Sequence, residues 1–366
     1  EMCIRDRVED GTIVRVTRDT EHPVSRGHLC IKGPGMLDVT YDPDRVLTPL
    51  RRVGGPGEFE AVSWDEALSD ITERLSTIIE DCGPESLALY FGNPGAFSSL
   101  HPNYAIGFVH RCGGHKLFGP TSVDTGARNV ASDWIYGSET LWPFPDLERC
   151  DFLLMLGANP AVSHMSLIAV PRAMEKLRAI ARRGAVVVVD PRRTETARAF
   201  EHVPVRPNSD AWLLAGMLRT LVDEGLTETK HLAERVSGFD DLADGLSDVT
   251  VEQAARRCAV PAEQITSLAR RFAAARTAAV YGRCGTNRGS FSTLTNVLMD
   301  ALNFATGRFG ADGGSVFGYR VYRHQFAGPG ALPAAALMRQ PSRIGGLPLV
   351  LGSQPSGSLA DEILTP

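Results

Sequence analysis

The run Ala185-Val186-Val187-Val188-Val189 constrains this chain more than any other stretch. Four successive valines with no polar alternation describe a strand buried on both faces, and such strands belong to parallel sheets covered by helices. A helical pattern over 170–183 leads into it and breaks at Gly184. A polar turn, Asp190-Pro191-Arg192-Arg193-Thr194, follows at its carboxyl end. The same unit recurs along the chain. The apolar run 150–156 ends in Gly157-Ala158-Asn159-Pro160, 86–91 ends in Gly92-Asn93-Pro94-Gly95, and 278–281 ends in Gly282-Arg283-Cys284-Gly285-Thr286-Asn287. Glycine lets a backbone approach a ligand closely, and Asn-Pro fixes a turn. In open α/β sheets, ligands bind outside the carboxyl ends of the strands, so these four turns are the first places to look for chemistry. Taken alone each has a plainer reading: Asn-Pro turns are common after strands, and 190–194 could be a salt-bridged loop.

Helices fill the intervals. Ser63 and Glu66 form a capping box ahead of Leu68, Ile71, Leu75, Ile78 and Ile79, which share one helical face up to Cys82-Gly83-Pro84. Further helices are expected over 98–112, through Ala131, Trp134 and Ile135, and from Trp212 to Gly225. Others are expected over 251–257, 261–275 and 294–305. Ahead of this body, Val8–Val16 contains an Asp10-Gly11 turn and alternating β-branched residues, the pattern of a hairpin. An irregular loop, His22-Pro23-Val24-Ser25-Arg26-Gly27, then delivers Cys30, Lys32 and Gly33. Read locally, a single cysteine there serves as a small apolar filler.

Composition excludes several classes. The chain has 366 residues, a net charge of −5, 43% hydrophobic residues and 22% charged residues, so it is long enough for more than one core and shows no basic bias toward nucleic acid. No stretch reaches the ~20 apolar residues of a membrane span. No signal peptide is visible, and a cytoplasmic location is the expectation. The seven cysteines have no paired short spacing, so neither a disulfide framework nor a zinc site is indicated.

The segment from Glu9-Asp10-Gly11 through His22–Gly27 to Leu29-Cys30-Ile31-Lys32-Gly33 resembles the iron–sulfur region of the molybdopterin oxidoreductases, the dimethyl sulfoxide reductase family. The likeness continues in order. It runs through Trp64-Asp65-Glu66-Ala67, the Gly-x-Asn-Pro stretch at 157–160, Asp190-Pro191-Arg192-x-Thr194, and Pro207-Asn208-Ser209-Asp210 in place of Pro-Gly-Thr-Asp. It ends in the glycine-rich stretch 307–314. The resemblance implies a small β-rich iron–sulfur segment followed by interleaved Rossmann-like three-layer αβα domains with mostly parallel sheets. By it, residues 1–7 read as non-native, 8–60 as a remnant of the iron–sulfur domain, and 61–327 as the α/β body. Residues 150–225 form its dinucleotide-binding half, and 328–366 a truncated Gly/Pro-rich segment.

It also implies cofactors and roles. The cofactors are bis-molybdopterin guanine dinucleotide with molybdenum or tungsten, and a [4Fe–4S] cluster. Cys30 matches one cluster ligand and Lys32 the lysine between cluster and pterin. The other three cysteine ligands have no counterpart here, with Cys3 one residue out of register, so no stable cluster is expected from this chain. Asp124 falls at the position of the protein ligand to the metal, where many members carry cysteine or selenocysteine, which speaks against a formate dehydrogenase. In the alternative reading, Asp124 or Ser122 simply caps the following helix. Gly92, Asn93, Gly157, Asn159, Asp190, Arg192, Thr194, Asp210, Gly285 and Asn287 are expected to line the dinucleotide crevice. Asp190 would accept from ribose or guanine, Arg192 and Thr194 would donate to the diphosphate, and Asp210 would pair with guanine. Cys284 reads as packing. The implied activity is two-electron oxidation or oxygen-atom transfer on a small molecule, with electrons passed to an iron–sulfur or other electron-transfer partner. Two alternatives stand beside it: a metal-free iron–sulfur subunit on the same scaffold, and a nicotinamide-dependent Rossmann dehydrogenase. The second lacks a Gly-x-Gly-x-x-Gly turn after any strand.

Overall fold

The computed structural model describes residues 4–92, 95, 98, 100–166, 168, 170–318 and 341–365, so Cys3 and Asn93 lie outside the described residues. The chain divides into two compact units, Glu1–Leu117 and Phe118–Pro366.

In the first unit, β1 (Ile4–Glu9) and β2 (Thr12–Arg18) pair as an antiparallel hairpin. Asp10 and Gly11 both take positive φ, 47° and 77°, as a two-residue hairpin turn demands. Ile4 to Arg7 pair with Arg18 to Arg15, so the strand starts inside the segment 1–7. The loop that follows leads into α1 (Lys32–Thr40). A second hairpin, β3 (Leu50–Arg52) and β4 (Phe59–Ala61), precedes α2 (Trp64–Cys82). The capping box is reciprocated: Glu66 N–H donates to Ser63 Oγ at 3.2 Å, and Ser63 N–H donates to Glu66 Oε2 at 2.8 Å. Gly83, at φ 79°, ends the helix. The strand expected over 86–91 shrinks to β5 (Ala88–Tyr90), because Pro84–Ser86 coil into a 3₁₀ turn. Then come α3 (His101–Arg111) and β6 (Lys116–Phe118). The apolar face of α2 is present, yet Leu68, Ile71 and Ile78 remain about half exposed within the unit. This helix takes its limits from its caps more than from burial.

The second unit opens with α4 (Thr121–Asp124) and α5 (Gly126–Tyr136), followed by β7 (Pro143–Pro145). Its centre is a parallel sheet of β8 (Phe152–Leu156), β9 (Ala185–Val189), β10 (Glu201–Val203) and β11 (Ala278–Gly282). Between β8 and β9 run α6 (Pro160–Ser163) and α7 (Ala173–Arg183). Between β10 and β11 lie α8 (Asp210–Asp223), α9 (Thr229–Arg235), α10 (Phe239–Gly245), α11 (Val251–Cys258) and α12 (Ala262–Ala274). The last elements are α13 (Ser292–Ala305), β12 (Ser315–Phe317), which pairs antiparallel with β7, and α14 (Leu359–Leu364). The last of these is a short helix in a stretch whose composition gives little helical signal.

The strands are covered on both faces, as their composition requires. Leu154, Leu156, Val187, Val189 and Val280 pack with Leu214, Leu218, Leu268, Phe272 and Leu298 of the α8, α12 and α13 layer. Their alternate neighbours, Leu153, Met155, Val186, Val188 and Tyr281, pack with Leu177 and Ile180 of α7. Each fully buried Leu or Val contributes roughly 1.5–3 kcal/mol. The sheet order is β10-β9-β8-β11. The chain therefore moves outward from β8 on one side, then returns to build β11 on the other. The break in direction between β8 and β11 is a topological switch point.

Helices α5 and α13 pack together through a buried ion pair. Arg128 Nη2 donates to Asp300 Oδ2 at 2.7 Å, and both residues are almost wholly buried. Removing one partner strands a charge, at a typical cost of about 3–5 kcal/mol, whereas replacing both with apolar residues costs little. Arg128→Met should therefore lower stability in urea denaturation by about that amount, and Arg128→Met with Asp300→Leu should recover most of it. An equal loss in single and double variants would show that the ion pair is not what holds these helices.

Candidate functional site

The tips of β8 and β11 meet without side chains. Gly157 takes φ 55°, and a Cβ added to it would stand 2.6 Å from Gly285 Cα. A Cβ on Gly285 would likewise come within 2.5 Å of Gly157 Cα. The backbone is knitted there: Arg283 N–H donates to Leu156 O at 3.2 Å, Gly285 N–H to Gly157 O at 3.1 Å, and Gly157 N–H to Val189 O at 3.0 Å. No other residue type fits this contact, and it lies at the switch point.

The loops after β8, β9, β10 and β11 all emerge at this end of the sheet. Asn159, Asp190, Arg192, Thr194, Asp210, Gly285 and Asn287 thus share one edge with Gly157, as four parallel strands require. Their side chains differ in what they have left to offer. Asn159 is spent tying two loops together: its Nδ2 donates to Glu195 Oε2 at 2.7 Å, and its Oδ1 accepts from Thr196 Oγ1 at 2.7 Å. Glu195 is held down to about 2 by its own backbone N–H, then by Asn159 and Arg192. Arg192 is exposed and reaches Glu195 at 3.3 Å. Thr194 is buried, its hydroxyl accepting from Ala197 N–H at 3.1 Å. Asp190 accepts from Arg192 N–H at 2.9 Å, closing its own turn. Asn287 Oδ1 accepts from Asn296 Nδ2 at 3.0 Å.

Asn208 does take the positive φ that glycine would supply, 62°. Its Oδ1 accepts from Ser290 N–H at 3.0 Å, joining the loop before α8 to the loop before α13. Gly289 makes room for that contact, since a Cβ there would stand 2.0 Å from Asn208 Oδ1. Asp210 is the first residue of α8. Burial pushes its carboxyl up to about 6, its own backbone N–H works against that, and the Asp190 carboxylate adds to it.

The loop carrying Asp124 reaches the same strand-tip region. Asp124 ends α4, and Cys284, directly after β11, donates its thiol hydrogen to Asp124 Oδ1 at 2.9 Å. Cys284 is half-buried; burial first and then the Asp124 carboxylate push its thiol above the ordinary range. Neither Asp124 nor Ser122 caps α5, whose N-cap is Thr125 with no side-chain bond. Ser122 Oγ instead accepts from Ser356 N–H at 2.9 Å. Cys284 is therefore more than packing. Sequence reading missed its tie to Asp124, along with Asn208–Ser290, because partners 160 and 82 residues apart leave no local pattern. Arg283, beside Cys284, is buried with its Nε unpaired.

Comparison with known proteins bears on these residues. The sequence model of the molybdopterin oxidoreductase family matches residues 45–363, and that of the molybdopterin oxidoreductase Fe4S4 domain matches residues 4–42. The chain belongs to the molybdopterin oxidoreductase family. It is 28% identical over 353 residues to a dimethyl sulfoxide reductase of Haemophilus influenzae, covering 85% of this chain and 43% of that one. It is 27% identical to the periplasmic nitrate reductase of Desulfovibrio desulfuricans, covering 85% and 42%. It is 29% identical to the alpha subunit of an F420-dependent formate dehydrogenase of Methanococcus maripaludis, covering 84% and 44%. Acetylene hydratase from Pelobacter acetylenicus shares the fold, with a TM-score of 0.72 at 24% identity over 86% of this chain and 43% of that one. The chain thus spans less than half the length of these relatives. The match is to this family rather than to a nicotinamide-dependent Rossmann dehydrogenase.

The family's cofactors are a molybdopterin bearing molybdenum or tungsten and a [4Fe–4S] cluster. The strand-tip residues fit the first. A contact without Cβ atoms at a switch point, two carboxylates for N–H or hydroxyl donors, the unpaired Nε of Arg283 and a carboxylate oxygen donor at Asp124 all suit a nucleotide-tailed metal cofactor. The cluster does not find its ligands among the described residues. In the first unit Cys30 is half-buried in the loop just before α1, Cys82 ends α2 and Cys112 follows α3, and no described group of three or more His, Cys, Asp or Glu is placed to hold a metal. Lys32 is the exposed first residue of α1, and Gly92 is exposed after β5; both belong to that first unit. No helix among the described residues is long and apolar enough to cross a membrane.

Asp210 supplies a test of the site's electrostatics. A carboxyl whose folded pKa is raised stabilises the fold fully below its unfolded value, near 4, and loses that contribution as pH rises through about 6. Asp210→Asn should therefore raise stability at pH 7 by on the order of 1–3 kcal/mol and leave it nearly unchanged near pH 4. Thermal melts of both proteins at the two pH values check this. A gain independent of pH would place the effect outside the carboxylate's charge.

Proposed function

We propose that this chain forms the cofactor-binding body of a molybdenum- or tungsten-dependent oxidoreductase performing two-electron oxidation or oxygen-atom transfer on a small molecule. The observation that carries the reading is the convergence of Gly157, Asp190, Asp210 and Gly285 on one switch-point edge, in a chain of the molybdopterin oxidoreductase family. When bound, the metal–pterin group supplies the two-electron chemistry; the protein's share is binding, orientation and electrostatics.

In this proposal Asp190 and Asp210 accept hydrogen bonds from the sugar and base of a guanine dinucleotide. Asp210 is suited to that role because it is withdrawn from solvent and repelled by Asp190, a cost that ligand N–H donors would relieve. Arg192 offers an exposed cation to the diphosphate, and Thr194 and Asn159 hold the loop that presents it. Gly285 and Gly157 keep the strand tips open to close approach, and Asn287, braced by Asn296, shapes the turn beside them. Asp124 is the proposed protein ligand to the metal, a hard oxygen donor suited to a high-valent ion. Cytoplasmic location and delivery of electrons to an iron–sulfur or other redox partner belong to the same proposal. Cys30 and Lys32 belong to the first unit, and no described group of three or more His, Cys, Asp or Glu is placed beside them to hold a metal.

Anaerobic purification of the full-length protein, followed by metal and nucleotide analysis, tests the reading. Molybdenum or tungsten together with guanine nucleotide is the expected result. Iron alone would favour an iron–sulfur electron-transfer subunit without molybdenum or tungsten on the same scaffold, and neither would remove the assignment. Asp124→Ala should abolish turnover while bound pterin stays at the wild-type level; undiminished turnover would remove Asp124 from the site.

A further inference from the structure

We propose that Cys284 is a positioning residue for Asp124: its thiol hydrogen bond engages one carboxylate oxygen and leaves the other to ligate the metal alone. The inference rests on Asp124 being the metal ligand, as proposed above. It adds a residue that the strand-tip sequence does not advertise.

The geometry is specific. Cys284 Sγ lies 2.9 Å from Asp124 Oδ1, and Oδ2 accepts no hydrogen bond among the described residues. The two oxygens of this carboxylate are thus already unequal. The donor is firmly seated, because Cys284 opens the 3₁₀ turn Cys284–Asn287 immediately beyond β11. The residues on either side of it, Arg283 and Gly285, give their backbone N–H groups to Leu156 O and Gly157 O. The acceptor, by contrast, is held by little else. Asp124 sits in the last position of a four-residue helix and does not cap α5, and the thiol is the one hydrogen-bond partner of its side chain among the described residues. Beneath them the Arg128–Asp300 ion pair fixes α5, which follows Asp124, against α13, which follows the Cys284 turn.

A carboxylate free to rotate can chelate a metal through both oxygens, filling a coordination position that substrate needs. A hydrogen bond on one oxygen opposes that, and outer-shell partners of ligating carboxylates commonly matter 10- to 100-fold. Serine keeps an O–H donor at this position and alanine removes it, so the two substitutions separate the hydrogen bond from the volume of the side chain.

The experiment uses the full-length, cofactor-loaded enzyme and its Cys284→Ala, Cys284→Ser and Asp124→Ala variants. Metal and pterin content are measured first, then the oxygen ligands at the metal by X-ray absorption, then kcat and KM. Wild type and Cys284→Ser should show a single carboxylate oxygen. Cys284→Ala should show two or none, with kcat down about 10- to 100-fold, pterin content unchanged, and the serine variant recovering most of the loss. If Asp124→Ala loses an oxygen ligand but Cys284→Ala matches wild type in both coordination and rate, the positioning role is refuted and the ligand assignment stands. If Asp124→Ala leaves the metal's ligands unchanged, the assignment itself fails and this inference falls with it.

Discussion

The meeting of two strand tips without side chains is the constraint on which the rest of the site depends. Parallel strands β8 and β11 are neighbours, and beyond Leu156 and Gly282 their chains must part in opposite directions. They do so at a contact where a methyl group on either side would overlap backbone atoms by about an ångström, judged against an ordinary carbon–carbon approach of ~3.5 Å. Because Gly157 and Gly285 can touch, the backbone reaches the edge of the sheet there unobstructed by side chains. The loops bearing Asp190, Asp210 and Cys284 are then anchored by the same sheet that anchors the core.

Around that contact the protein accepts unfavourable electrostatics. Asp210 is withdrawn from water at the start of α8 and stands near a second carboxylate, Asp190, which raises its proton affinity further. A helix N-terminus partly offsets the burial of negative charge, which explains why the residue is tolerated there without an ion-pair partner among the described residues. Asn208 adds a left-handed backbone conformation, and its carboxamide spans to Ser290 through space that only glycine at 289 can leave. Strain and like charge concentrated on one edge, with the hydrophobic layers on both sides in regular alternation, describe a surface organised for a ligand.

Much of this architecture is legible in the residues. The all-valine strand, the apolar run before Gly157 and the run before Gly282 each announce burial on two faces, and Ser63 with Glu66 announces the start of α2. The positive φ at Asn208 follows from its substitution for glycine in a known turn. What was not legible depends on closure over long separations. Arg128 and Asp300 are 172 residues apart, and each reads as an ordinary surface charge until the sheet brings α5 beside α13. Asn159 looks like a ligand contact in sequence, yet the fold spends its amide on Glu195 and Thr196. The face of α2 has helical periodicity in full, but periodicity carries no information on what covers it, and within its own unit Leu68, Ile71 and Ile78 stay largely uncovered.

The pairing of Asp124 with Cys284 shows why identity at a ligand position is not enough to describe it. The resemblance implies a soft sulfur donor in many family members where this chain has an oxygen, and the chain nonetheless carries a thiol 2.9 Å away, just beyond the tip of β11. That thiol donates a hydrogen bond to the carboxylate, and burial and then the acceptor raise its pKa above the ordinary range. A neutral thiol is a poor ligand, since metal binding requires the thiolate. In the proposed site, the same hydrogen bond that orients the carboxylate would thereby disfavour the sulfur as its competitor for the metal.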